Sequence, residues 1–343
     1  MGGMGTTKLS AALLILLAVV GMGAGVQYGK TDRPTAGDRL GRFFQKDSVT
    51  IVVTDSGLGG LAVTAAVERL LEQHRVFAQV RLVFANSLPD RKHLYNQMES
   101  MEEKARVFDS ALAGMTRTFQ PDLILIACNT LSVVFPWTEF AHSSDVPVIG
   151  IVEFGVDQVA NALRNDSTAS AIILGTPTTI GQNTHAARLA ELGFDSNRVE
   201  TQACDMLESE IQADPTSDIV RSMVEMYADE ALERRGDSPK GDLVLALCCS
   251  HYGFARGVFG EVFGALSGHP VTIVDPNIAM SESLTPLELR GRYKETGVTV
   301  EVVSQAEILA EETEAMAAAV RPVSNATADA LIDYSRVAGL FSY

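Results

Sequence analysis

The chain has 343 residues, of which 46% are hydrophobic and 20% charged; this is the composition of a folded protein with room for about two domains. A formal net charge of −16 excludes broad binding to nucleic acid or to an anionic membrane surface, both of which need a basic face. A small anionic ligand stays admissible, because amides and helix N-termini bind carboxylates beneath an acidic exterior.

In chain order, the first feature is an uncharged, largely apolar run of 18 residues, Leu9–Val26, preceded by Lys8 and closed by Gly21, Gly23, Ala24 and Gly25. That pattern predicts a signal peptide or membrane anchor over residues 1–26, with a tether through residues 9–26. The protein is then exported (periplasmic or extracellular) or anchored. Gln27–Ser48 is polar, with Gly, Pro and both charges, and reads as a linker. The body is expected to begin near Val49.

Val49–Gly60 (VTIVVTDSGLGG) reads as a strand, a Gly-rich turn and the start of a helical pattern over Leu61–Gln73. Strands are expected at Val80–Ala85, Leu123–Ala127 and Val146–Ile149, with helices at about Ser100–Arg117 and near Trp137. The alternation continues with helix His185–Leu192, strand Val199–Thr201, helix Thr216–Arg235 and strand Leu243–Leu247. Continuous short apolar runs alternating with helices predict parallel sheets, and ligands bind beyond the carboxyl ends of such strands.

Two stretches of the chain are alike. Pro121–Ser132 (PDLILIACNTLS) matches Gly241–Tyr252 (GDLVLALCCSHY), and Val49–Gly60 matches Ser170–Gly181 (SAIILGTPTTIG). Asp55 precedes Cys128 by 73 residues and Gly175 precedes Cys249 by 74, as a duplicated α/β unit requires. Residues 49–150 plus 271–320 are assigned to domain one, with strand Val271–Val274 returning to it, and residues 151–270 to domain two. Residues 321–343 form a C-terminal tail.

The four cysteines are Cys128, Cys204, Cys248 and Cys249. No C-x-x-C pair occurs, which argues against a structural zinc site. Cys204 and Cys248 read as core thiols. Cys128 and Cys249 stand at matching strand ends with polar successors. One thiol from each half suits proton removal from one face of a carbon acid and return on the other, because a thiol titrates near working pH. Asp55 and His251 are the candidate helpers. Ser56, Asn129, Thr130, Thr176, Thr179 and Ser250 offer hydroxyl and amide donors for substrate carboxylates.

The set Asp55-Ser56-Gly57-Leu58-Gly59-Gly60, Ala127-Cys128-Asn129-Thr130, Gly175-Thr176 and Cys249-Ser250-His251-Tyr252 resembles the glutamate racemase branch of the aspartate/glutamate racemase superfamily. The likeness extends over about residues 49–310. It implies an α/β fold of two flavodoxin-like domains with parallel sheets, pseudo-twofold related, and the active site in the cleft between them. It also implies Cys128 and Cys249 as proton donor and acceptor assisted by Asp55 and His251, no cofactor and no metal, a small anionic amino acid as substrate, and a homodimer. Asn86, Ser87 and the nearby Leu94-Tyr95-Asn96 stand where the family has an Asp-Ser/Thr-Ala-Arg stretch and Pro-Tyr-Gly that contact substrate. Ser250 replaces the usual Thr and Gly253 the usual Pro. A sibling decarboxylase, isomerase or hydantoin racemase, and an exported two-lobed solute-binding protein, are the competing readings. Matched thiols with a carboxylate helper distinguish the amino-acid racemase from both.

Overall fold

A computed structural model describes residues 35–235 and 241–343. Its first sheet holds six strands in the order β10-β9-β2-β1-β3-β4, and its second holds four in the order β6-β5-β7-β8. The strands are β1 Ser48–Asp55, β2 Gln79–Asn86, β3 Leu123–Ile126, β4 Val148–Gly150, β5 Ser170–Gly175, β6 Val199–Ala203, β7 Leu243–Cys248, β8 Val271–Val274, β9 Gly297–Ser304 and β10 Ser335–Arg336. Every pairing in both sheets is parallel.

The duplication is visible in the strand order. The run β2-β1-β3-β4 in one sheet corresponds to β6-β5-β7-β8 in the other. Helices cover both faces, so the central strands are apolar on both sides. Ile51 and Val53 pack on one face of the first sheet and Val52 on the other, while Leu243, Leu245 and Leu247 oppose Val244 and Ala246 in the second. This is the two-domain parallel α/β architecture expected from the sequence.

Three boundaries differ from expectation. Strand β8 does not return to domain one. It pairs with β7 from Leu243↔Val271 to Ala246↔Val274, because it is the counterpart of β4 and completes the second unit. The returning strand is β9, whose eight residues pair with all of β2. Residues 321–343 are not a detached tail. The helix Asn325–Ile332 buries Thr327, Ala328 and Leu331, β10 extends the first sheet, and Leu340 and Phe341 are 3% exposed. Nor is Gln27–Ser48 a linker throughout. Thr35 caps a helix Ala36–Gln45 by accepting the Asp38 N–H, and Leu40, Phe43 and Phe44 at i, i+3, i+4 enter the first domain's core. Arg292 fastens that helix by donating to the carbonyls of Phe44 and Gln45 at 2.8 and 3.0 Å.

The apolar run Leu9–Val26 lies outside the described residues. Among the described residues no helix is long and apolar enough to cross a membrane.

Candidate active site

The ends of β1, β3, β5 and β7 meet across the cleft and wall one cavity. Asp55, the last residue of β1, is 1% exposed. Its Oδ1 accepts the N–H groups of Ser56 and Gly57 at 2.6 and 3.3 Å. Its Oδ2 accepts the hydroxyl of Ser250 from the other domain at 2.6 Å. A buried carboxylate without such donors would be costly; here the turn and the opposite lobe supply three. Asp55 therefore organises the cleft from beneath instead of bonding directly to a thiol.

Cys128 caps the helix Asn129–Val134, its Sγ accepting the Leu131 N–H at 3.4 Å. Ser56 Oγ lies 3.2 Å from the same sulfur. Burial pushes the Cys128 thiol well up and the Asp55 charge adds to it, against the smaller opposing pull of the Ser56 hydroxyl and the Leu131 amide.

Cys248 and Cys249 are neighbours on the β7 edge of the cleft, and strand alternation sends them to opposite faces. Cys248 points into the core with Val156, Ala160 and Ala246, whereas Cys249 reaches the cavity. Cys204 is fully buried beside Leu207 and Tyr227 and does not reach it. Burial raises the Cys249 thiol, and the Glu208 carboxylate raises it further. His251 Nδ1 stands 3.9 Å from Cys249 Sγ, and burial holds the His251 ring below its usual value.

The Gly-rich turn has a steric purpose. A Cβ on Gly59 would fall 2.4 Å from Ser250 Oγ and 2.6 Å from His251 Nδ1, and one on Gly57 would fall 3.1 Å from both His251 Cε1 and Gln212 Oε1. The turn of one lobe is the floor on which the histidine of the other rests.

Of the donors expected for substrate, Ser56, Asn129, Thr130, Thr176 and Ser250 line the cavity. Thr130 and Thr176 bond across the cleft at 2.7 Å. Thr179 sits behind them, 3.1 Å from Thr176 and 3.4 Å from Thr130, and supports the pair without lining the wall. Asn129 is 2% exposed, yet neither its Nδ2 nor its Oδ1 has a partner among the described residues. An amide in that state is primed for a ligand group.

Asn86 and Ser87 stand behind the wall. Asn86 Oδ1 accepts the Leu88 N–H at 2.9 Å, and Ser87 Oγ bonds Thr54 Oγ1 at 2.7 Å. They shape the loop that follows β2, and that loop delivers Leu88, Leu94, Tyr95 and Asn96 to the cavity. Tyr95 is tied down through its hydroxyl to the Ser87 carbonyl at 3.2 Å.

The sequence reading missed Glu208, Ser209 and Gln212, which the helix Leu207–Ala213 contributes from the second domain. Glu208 Oε1 accepts from Asn96 Nδ2 at 3.3 Å, and burial raises its carboxyl. The signal in the sequence is Cys204-Asp205, just past the end of β6: β6 mirrors β2, so the loop after it faces the same cleft as the loop after β2. Among the described residues lining the cavity there is no Lys or Arg, so a carboxylate there meets hydroxyls and amides. Among the described residues no cluster of three or more His, Cys, Asp or Glu is placed to hold a metal ion.

Residues 51–246 match the family model described as Asp/Glu/Hydantoin racemase. The chain belongs to that family. As a member it is an enzyme, an isomerase of the amino-acid racemase kind. Among its relatives are the glutamate racemases of Pseudomonas entomophila, 29% identical over 242 residues (70% of this chain and 82% of the relative), and Aquifex pyrophilus, 28% identical over 236 residues (68% and 81%). The glutamate racemase of Chlorobaculum parvum is 25% identical over 242 residues, 69% of this chain and 79% of the relative. The fold matches the crystal structure of glutamate racemase from Francisella tularensis in complex with D-glutamate, with a TM-score of 0.61 at 20% identity, covering 80% of this chain and 94% of that one.

Proposed function

We propose that this racemase interconverts the L and D forms of a small acidic amino acid, glutamate in the first place, by a two-thiol transfer at the α-carbon. The observation that carries the reading is that Cys128 and Cys249, from corresponding strands of the two domains, wall the same cavity. Each has its own proton-handling neighbour, the Ser56 hydroxyl at 3.2 Å and the His251 ring at 3.9 Å. In one direction a Cys249 thiolate takes the α-proton and becomes a thiol. The electron pair is held on the planar carbanion, and the Cys128 thiol returns a proton to the opposite face and becomes a thiolate. The reverse direction exchanges the roles.

The α-carbanion needs its carboxylate charge met by fixed donors. The unpartnered Asn129 amide supplies such a donor without a cation, with the Thr130 and Thr176 hydroxyls beside it on the cavity wall. The names of the relatives support glutamate, and the bound D-glutamate of the Francisella enzyme supports a ligand of that size and charge.

The test is incubation of L- and D-glutamate, then L- and D-aspartate, in deuterated water. Both hands of one amino acid are expected to gain α-deuterium, and Cys128→Ala or Cys249→Ala is expected to abolish racemisation. Binding of either amino acid without α-hydrogen exchange would remove the proposed reaction.

A further inference from the structure

We infer that Gln212 is a positioning residue that fixes the tautomer of His251, so that a bare Nδ1 faces the Cys249 thiol. The inference rests on the two-thiol reading for its catalytic meaning, but the tautomer itself follows from hydrogen-bond bookkeeping alone.

Gln212 lies near the end of the helix Leu207–Ala213 in the second domain and reaches into the first. Its Oε1 accepts the backbone N–H of Leu58, in the Gly-rich turn, at 2.8 Å. Its Nε2 donates to Glu312 Oε1, on the helix Ala310–Val320, at 3.1 Å. Glu312 is itself held through its other oxygen, which accepts from Leu309 N at 3.0 Å and from Arg91 at 2.8 Å. An amide's oxygen and nitrogen are often interchangeable by eye, but not here. A backbone N–H can only donate and a carboxylate oxygen accepts, so both ends of the Gln212 amide are assigned by partners that have no freedom.

His251 Nε2 lies 3.0 Å from the same Gln212 Oε1. An amide oxygen carries two lone pairs and no hydrogen. One lone pair takes Leu58 N–H, so the other is met by a proton on Nε2. In the neutral ring that leaves Nδ1 as the acceptor, and Nδ1 is the atom 3.9 Å from Cys249 Sγ. The thiol proton then has a destination. The S–H bond breaks with its electron pair left on sulfur, and an N–H bond forms at Nδ1. After the thiolate has taken the α-proton and Cys128 has given one up, a single proton passing from the imidazolium to the Cys128 thiolate restores the starting state. The opposite tautomer would point an N–H at the thiol and offer it no acceptor. Both contacts that fix the amide come from the first domain, so the histidine of the second domain is set only when the lobes are together.

The experiment uses the full chain labelled with ¹⁵N-histidine, the His251 signals being those lost in His251→Asn. The wild type is expected to show a protonated Nε2 and a bare Nδ1. Gln212→Met should convert His251 to the other tautomer or a mixture, and kcat should fall by about 10- to 100-fold, part of the roughly 100- to 10,000-fold that a positioned acid or base contributes, with little change in KM. The double change Gln212→Glu with Glu312→Gln keeps an oxygen towards Leu58 and His251 and reverses the bond beyond it. It should restore the Nε2–H signal and much of kcat, which a purely structural role would not require. A wild-type spectrum with Nδ1 protonated overturns the inference outright, as does an unchanged tautomer or unchanged kcat in Gln212→Met. If Gln212→Met fails to fold, the wild-type spectrum and the double variant still decide. The spectrum needs no turnover, so absence of α-hydrogen exchange would remove the reaction while the tautomer assignment stands or falls separately.

Discussion

The hydroxyl of Ser250 donates to Asp55 Oδ2 across the cleft at 2.6 Å, with both residues 1% exposed. This bond joins the end of β1 in one domain to the turn after β7 in the other. The β1 turn already occupies the other carboxylate oxygen. Ser250→Ala should therefore destabilise the fold by about 1.5–3 kcal/mol, the usual range for a lost hydrogen bond to a charged group, whereas Ser250→Thr keeps the hydroxyl and should cost much less. Urea midpoints of the two variants check this. Equal midpoints would mean that Asp55 does not depend on the bond.

How far the sequence reveals the site depends on which residues carry a local signal. Cys128 and Cys249 are legible because a buried strand followed by polar residues is a pattern of adjacent positions, and the pattern occurs twice. Gln212 and Glu208 are not legible in that way. They lie on a seven-residue helix with acidic neighbours, which reads as a solvated face until the two lobes are placed against each other. The misassignment of β8 has a similar cause. Val271–Val274 and the strand that does return, Gly297–Ser304, are both Val-rich, and only matching β8 to β4 within the duplication separates them. Leu40, Phe43 and Phe44 carried a helical signal, obscured by the polar residues around them.

The Gly-rich turn offers a graded steric test. Gly59→Ala places a Cβ 2.4 Å from Ser250 Oγ and 2.7 Å from the His251 backbone nitrogen, and a backbone atom cannot rotate away. Activity should fall to near background and the melting temperature should drop. Gly57→Ala meets Gln212 Oε1 and the His251 ring at 3.1 Å, which smaller shifts can absorb, so it should retain measurable turnover. Gly257, on the helix Arg256–Ser267, has nothing within 4 Å of its Cβ position. There Ala should leave activity unchanged and stabilise by about 0.5–1 kcal/mol. Calorimetry and kcat for the three variants order them, and an active Gly59→Ala enzyme would refute the packing argument.

His185 gives the acid limb of stability a specific cause. Burial pushes it down to about 4, and its Nε2 has no partner among the described residues. A histidine lowered in the fold binds its proton more readily when unfolded. Its contribution is thus complete above the unfolded value near 6.5 and is lost as pH falls towards 4. The loss across that window is about 3 kcal/mol at 1.36 kcal/mol per pKa unit. His185→Gln should lower stability at pH 7 but flatten its decline between pH 6.5 and 4.5. Parallel stability curves for the variant and wild type would show that another group governs the window.

The alkaline limb should separate stability from activity. Burial raises all four thiols, with the Asp55 charge second for Cys128 and the Glu208 charge second for Cys249. A group raised in the fold contributes stability that is complete below its unfolded value, about 8.5 for a thiol, and declines as pH rises beyond it. Each thiol should then take away up to about 1.4 kcal/mol per pH unit. Over the same range kcat/KM should stay level, because neutral His251 takes the Cys249 thiol proton inside the site and the reacting free enzyme holds both thiols protonated, until unfolding intervenes. Denaturation midpoints at pH 8, 9 and 10 test the first expectation. Initial racemisation rates at low substrate concentration test the second, and a kcat/KM that climbs about tenfold per unit from pH 7 to 9 would mean that the thiol proton is lost to solvent and not to His251. Cys248→Ala separates the two effects. It removes one raised thiol from the core and should soften the alkaline loss of stability, while turnover, which belongs to Cys128, Cys249 and His251, keeps its level profile.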